Sequence, residues 1–312
     1  ADGHGGKEAS KLCGEKVLPK LAELAANGSA PALAAAATSA FRAIHEEVCA
    51  LPRVTSGSTL TVCALTLSRR QLSIFNVGDS LGLLVHNDGF EPLGESHRLE
   101  ESKTEKERVV AAGATLGRAK RVDGGEGAGG SLRAYPGGLA VTRVIGDSDC
   151  PYCSPEPACS VRTVPREGGA VLLCSDGVWD HLSNSAAAAV LLHGTYASAA
   201  KAARSVIKQA TATGIRDDTT AVVLLFGPQP AGSHPAQPAT SASQDGSHAP
   251  YDDSGSFLQN RLMQVNSDDD DTSNPMSRPS SVLDLSVLAL ADAAPSTREG
   301  EMTGPSADSS QD

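Results

Sequence analysis

GGAVLLCSDGVWDHL, residues 168–182, is the stretch whose reading decides the fold. Ala170 to Cys174 is a short, wholly apolar run behind two glycines, the pattern of a strand buried on both faces. It stops abruptly at Ser175, Asp176 and Gly177. A carboxylate at the end of a buried strand is held rigidly, and the glycine beside it allows close approach to the backbone. An aspartate capping a turn would look the same. The rest of the chain separates the two readings.

Three further aspartates stand in comparable places: Asp2 in ADGHGG, Asp79 in FNVGDS and Asp217 in GIRDDTT. Asp79, like Asp176, follows an apolar run, whereas Asp217 precedes one at residues 221–226. Carboxylates gathered at strand ends, with no cluster of cysteine or histidine, suit hard cations such as Mg²⁺ or Mn²⁺.

Composition narrows the class. Residues 227–312 carry 13 Asp and Glu against three Arg, which leaves 24 acidic and 23 basic groups in the first 226. A near-neutral body without a basic stripe argues against nucleic-acid binding. No apolar run long enough for a transmembrane helix is present, and no signal peptide is read. The seven cysteines, odd in number, do not form a secreted disulfide framework and point to a reducing compartment, cytoplasmic or nuclear. The chain opens with alanine and puts Asp2 in a motif with no strand before it, so an N-terminally shortened piece is expected.

Along the chain, residues 7–26 and 31–51 show helical periodicity, with Pro19 expected to kink or divide the first helix. Residues 59–67, 71–77 and 81–85 read as strands of an antiparallel meander, and Asp79 falls at a tight corner beside Gly78. Residues 104–112 read as a helix and 113–138 as a mobile excursion. A strand over 139–145 runs into Gly146 and Asp147. Helices over 186–192 and 199–211 and a last strand to Phe226 complete the body. From Gly227 the composition becomes that of a disordered acidic tail. One apolar island interrupts it, SVLDLSVLALA at residues 281–291, either a docking helix or an accident of composition.

The order DGHGG, two helices, SGST, NVGDS, a Glu-Arg helix ending in AAG, GGLAVTRVIGD, SDGVWDHLS and RDDTT resembles the type 2C, metal-dependent protein serine/threonine phosphatases, plant and green-algal members most of all. The resemblance covers residues 2 to about 226. It implies an α+β fold, a central antiparallel β-sandwich flanked by helices on both sides and here missing its first strands. It divides the chain into a phosphatase domain at 1–226 and a tail at 227–312.

The resemblance further implies two Mg²⁺ or Mn²⁺ ions bridged by a water or hydroxide, with a weaker third position. Asp2 is then shared by both ions, Gly3 binds through its carbonyl, Asp176 and Asp217 hold the first ion, and Asp79 marks the third position with Asp180 nearby. His4 matches the general acid that protonates the leaving alkoxide. The implied partners are phosphorylated proteins, met by a monomer. Glu107, Arg108, Arg143 and Asp147 read as structural.

Family members also carry, upstream of the first motif, an arginine that grips phosphate and a Glu-Asp pair. Neither is found here, so low activity of these 312 residues is expected. Two other readings compete: a scaffold that keeps the fold without catalysis, and a redox or zinc site at Cys150 and Cys153. A lone CxxC followed by Pro155 and Pro157 favours plain loop cysteines over the latter.

Overall fold

The computed structural model describes residues 1–25, 28–66, 68–119, 129–212, 214 and 217–227, and the backbone of 288–290. Among these, no helix is long and apolar enough to cross a membrane.

Two sheets form the centre. In the first, β1 (Asp2–His4), β2 (Gly57–Thr66), β3 (Gln71–Val77) and β9 (Ala158–Thr163) lie in that spatial order. The two-residue β8 (Ile145–Gly146) also pairs with β2. In the second, the order is β11 (Ala221–Phe226), β10 (Gly169–Cys174), β4 (Leu81–His86) and β5 (Gly89–Leu93), antiparallel throughout.

The period-2 pattern explains the layering. On β10, Val171 and Leu173 face the other sheet and meet Leu72 and Ile74 of β3. Ala170, Leu172 and Cys174 face outward beneath α5 (Asn184–His193) and α6 (Ala199–Thr211). The first sheet mirrors this. Leu60, Val62, Phe75 and Val77 face outward under α1 (Glu8–Leu24) and α2 (Ala30–Cys49), where Leu21, Phe41 and Ile44 cover them. The result is helix, sheet, sheet, helix, as the resemblance implies.

Several local expectations change. Pro19 does not divide α1, which runs through it. Pro19 is exposed, so the lost hydrogen bond falls on the solvent side, where water can satisfy the carbonyl. Asp2 does sit on a strand, since β1 pairs antiparallel with Gly57–Thr59. The strand expected over 139–145 shrinks to Ile145–Gly146, with isolated bridges at Leu139, Val141 and Arg143. Within 113–138, β6 (Thr115–Arg118) and β7 (Leu132–Tyr135) pair antiparallel, and residues 120–128 lie outside the described ones. They cover a small core of Leu99, Val109 and Tyr152 beside α3 (Lys103–Ala111).

Of residues 228–312, only the backbone of β12 (Leu288–Leu290) is described. Its backbone pairs in parallel with Ala64–Thr66 of β2, so the island at 281–291 contributes a strand where docking as a helix was the alternative to accident.

Candidate metal centre

The register of the sheets brings the acidic residues to one end of the sandwich. Cys174, the last residue of β10, lies opposite Leu81 on one side and Ala221 on the other. Asp176 follows Cys174 by two residues, Asp79 precedes Leu81 by two and Asp217 precedes Ala221 by four, so all three stand at the same end of the second sheet. Asp2 comes from the first sheet, opposite Thr59. Buried hydroxyls join the two sheets here. Thr59 Oγ1 lies 2.7 Å from Ser80 Oγ, and Thr61 Oγ1 donates to the Ser80 carbonyl at 2.5 Å.

Asp176 begins a four-residue helical turn, α4 (Asp176–Trp179). The Trp179 indole N–H anchors that turn to the carbonyls of Cys174 and Leu81 at 3.0 and 3.2 Å. Gly177 has a different use from the one read in sequence. A Cβ there would stand 2.3 Å from the Asp218 carbonyl oxygen, so what approaches is the chain itself. That contact holds the exposed 217–218 segment beside Asp176.

The carboxylates crowd one another. Burial, reinforced by Asp176 and more weakly by Asp217, pushes the Asp2 carboxyl up to about 7, and a hydrogen bond shared with Asp176 contributes. Asp79 is also raised, first by burial and then by Asp176, against the opposing pull of Arg98. The set is more open than a closed cage. Among the described residues, the group with three ligand-type atoms all within 4.8 Å is the separate trio His86, Asp88 and Glu167. The donor chemistry fits Mg²⁺ or Mn²⁺: hard oxygens, excess negative charge, and a carboxyl that gives up its proton when a cation arrives. On these grounds Asp2, Asp176 and Asp217, with the Gly3 carbonyl beside them, are the residues that could hold metal.

Two residues that the sequence reading did not assign to the site stand inside it. Arg98 reaches three of the acidic side chains. Its Nε donates to Asp79 at 2.5 Å, and its two terminal nitrogens donate to Asp176 and Asp180 at 2.7 Å each. Burial opposes its charge, but the carboxylates of Asp180 and Asp79 overcome this and hold it firmly protonated. The neighbouring His97 is fully buried, and its Nδ1 accepts the Gly78 N–H at 3.0 Å. Burial holds its ring down to about 4, so it is neutral and clamps the corner that carries Asp79. The signal in sequence is slight: one His-Arg pair in a loop.

The second residue is Asp147, read as structural from sequence. Both its carboxylate oxygens contact His4 Nε2, at 2.8 and 3.0 Å. Burial lowers the proton affinity of His4, yet the hydrogen bond and charge of Asp147 outweigh it and the net shift is upward. Arg108 and Arg143 are structural as expected, but their anchor is Glu105. Glu107 is exposed and meets Lys103. All seven cysteines are free. Burial pushes the thiols of Cys150 and Cys153 up, which makes them poor nucleophiles and poor metal ligands at neutral pH.

The chain is similar to known proteins. The family described as "Protein phosphatase 2C" matches residues 1–219. A rice relative (Oryza sativa subsp. japonica), "Probable protein phosphatase 2C 3", is 39% identical over 188 residues, 59% of this chain and 37% of its own length. "Probable protein phosphatase 2C 5" of Arabidopsis thaliana is 38% identical over 177 residues, 56% of this chain and 40% of its own. The chain thus spans well under half of these relatives. Among solved structures, a C. elegans sex determining protein superposes with a TM-score of 0.60 at 24% identity, covering 73% of this chain and 55% of that one. A serine-threonine phosphatase 2C from Toxoplasma gondii gives 0.57 at 18% identity, covering 72% and 82%. The fold is the same in both, and by its sequence the chain belongs to the protein phosphatase 2C family.

Proposed function

We propose that residues 1–226 are the catalytic domain of a metal-dependent phosphatase that hydrolyses phosphoserine and phosphothreonine in proteins, and that 227–312 are an appended tail. The observation that carries this reading is the convergence of Asp2 and Asp176, from different sheets, into a pair so crowded that Asp2 rises to about 7. Such a pair is costly without a cation and favourable with one. When bound, a pair of Mg²⁺ or Mn²⁺ ions supplies an activated water and neutralises charge on the phosphoryl group.

The chain's own residues have separate tasks in this scheme. Asp2, Asp176 and Asp217 hold the ions, with the Gly3 carbonyl as a further oxygen. Asp79 serves a weaker third position. His4 gives a proton to the departing serine or threonine oxygen, whose alkoxide is a poor leaving group unaided. No thiol is needed.

Calorimetric titration with Mn²⁺ tests the site. Asp176→Asn is expected to weaken binding roughly tenfold or more, the scale of metal-site lesions, whereas Asp149→Asn, in a loop beyond β8, leaves it unchanged. Equal affinities in the two variants would count against the site. Peptide hydrolysis should require added Mg²⁺ or Mn²⁺, stop with EDTA and ignore a thiol alkylator. It should be far faster in a form extended upstream of Ala1 to include a phosphate-gripping arginine and a Glu-Asp pair.

A scaffold without catalysis gains from one observation: Arg98 pairs with Asp79, Asp176 and Asp180 at once. An extended form that binds Mn²⁺ but turns over no phosphopeptide would establish that reading instead.

A further inference from the structure

His4 and Asp147 are 143 residues apart, yet their side chains meet across a strand. His4 lies opposite Gly57 on one side of β2, and Gly146 lies opposite Gly57 on the other. Neighbouring strands stand about 4.8 Å apart, so the two flanking strands are separated by twice that distance. Their side chains can join only above a residue that has none. At Gly57 a Cβ would stand 2.0 Å from Asp147 Oδ2 and 2.5 Å from His4 Nε2. The glycine of the SGST motif is thus the floor of a bridge.

The far end of the bridge is equally specific. β8 ends at Gly146, and the next residue, Asp147, turns into the left-handed region at φ 53° while its N–H donates to the Ser56 carbonyl at 3.1 Å. That turn is uncommon for a residue with a side chain. It carries the carboxylate, buried at 5% exposure, back over Gly57 to the ring. His4 itself is 39% exposed.

We propose that Asp147 is a positioning residue for His4, and that this pair, with Gly57 beneath it, sets which ring nitrogen delivers the proton. This deepens the phosphatase reading and, for its catalytic half, rests on it. The carboxylate takes the Nε2–H, so Nδ1 is the nitrogen that exchanges. As a water oxygen bonds to phosphorus and the P–O bond to the serine or threonine oxygen breaks, the Nδ1 proton passes to that departing oxygen and the phosphoryl group leaves as inorganic phosphate. A neutral alcohol leaves, and a neutral ring remains with its proton on Nε2, still held by Asp147. The ring regains the Nδ1 proton from solvent.

Asp147→Gly is the informative variant, because glycine adopts φ 53° readily and only the carboxylate is lost. Asp147→Asn is the conservative companion. Ring ¹⁵N spectra of the 312-residue chain, assigned with His4→Gln and recorded at one fixed pH, read the pair without any turnover. The expected result is an Nε2–H ring in the parent and a loss of that preference in Asp147→Gly. An unchanged ring spectrum overturns the proposal. In the extended, Mg²⁺-loaded form, turnover of a phosphoserine peptide should fall roughly a hundredfold in Asp147→Gly, the scale of general-acid catalysis. An activated aryl phosphate should lose far less, with partial recovery of peptide turnover in Asp147→Asn. Equal losses on both substrates reduce Asp147 to a structural residue. If the parent turns over neither substrate, the phosphatase reading fails while the ring spectra still decide the pair.

Discussion

Arg98 ties three of the acidic side chains into one network. Its planar guanidinium satisfies Asp79, Asp180 and Asp176 at once, and Asp79 is largely buried. Removing Arg98 leaves the buried Asp79 carboxylate without this partner, at a cost of roughly 1–3 kcal/mol. Arg98→Met should therefore lower the melting temperature of the metal-free protein by several degrees. Mn²⁺ should restore more stability in the variant than in the parent, since a divalent cation can replace the missing charge. Thermal shifts with and without Mn²⁺ test this, and equal Mn²⁺ shifts in both proteins would mean that Arg98 and the cation do not share these carboxylates.

The same logic, one scale up, explains how α3 is fastened to the body. The helix buries little apolar surface, with Glu105 and Val109 as its buried residues. Glu105 supplies the anchor. It accepts Arg108 Nε at 3.0 Å, Arg143 Nε at 2.8 Å and Thr142 Oγ1 at 3.1 Å, at 1% exposure. Burial opposes its ionisation, but Arg108 and then Arg143 overcome this and hold it below the ordinary value of 4.5.

A carboxyl whose folded value is depressed stabilises the fold above its unfolded value, and that contribution is lost as pH falls through the folded one. Glu105→Gln should thus cost roughly 1–3 kcal/mol at pH 7. The gap to the parent should narrow below 4.5. Urea unfolding at several pH values measures it. A gap that stays constant with pH would assign the loss to shape instead of charge.

At the scale of the whole molecule, the sandwich is expected to hold together without the tail. Among the described residues, its inter-sheet core and both helical layers come from residues 1–226. The tail touches it through β12, three backbone positions on the edge of β2. Three ladder residues gain little against the entropy of closing a long connection. Deleting residues 281–291 should change the melting temperature by no more than about 2 °C for a body of this size. It should speed amide exchange at Ala64–Thr66. A larger fall would mean that this segment supports the sandwich, and unchanged exchange would mean that it does not pair there in solution.

By itself, the sequence determined the layers and the identity of the acidic residues. Ala170–Cys174 reads as a strand buried on both faces because consecutive side chains serve different cores, and Val171 and Leu172 do so. Phe41, Ile44 and Val48 mark the covered face of α2 because helical periodicity is local. The four aspartates were legible because each stands where a regular element begins or ends. Arg98 and Asp147 were not. Nothing near Arg98 in the chain announces a cluster, because Asp79 and Asp176 reach it from the ends of two different strands, 19 and 78 residues away. Asp147 looked like a strand corner until β1 and β8 were placed on either side of Gly57. Periodicity and motif spacing record what a residue needs from its neighbours in the chain. Which charge meets which depends on the register of strands distant in sequence, and only the tertiary structure sets that register.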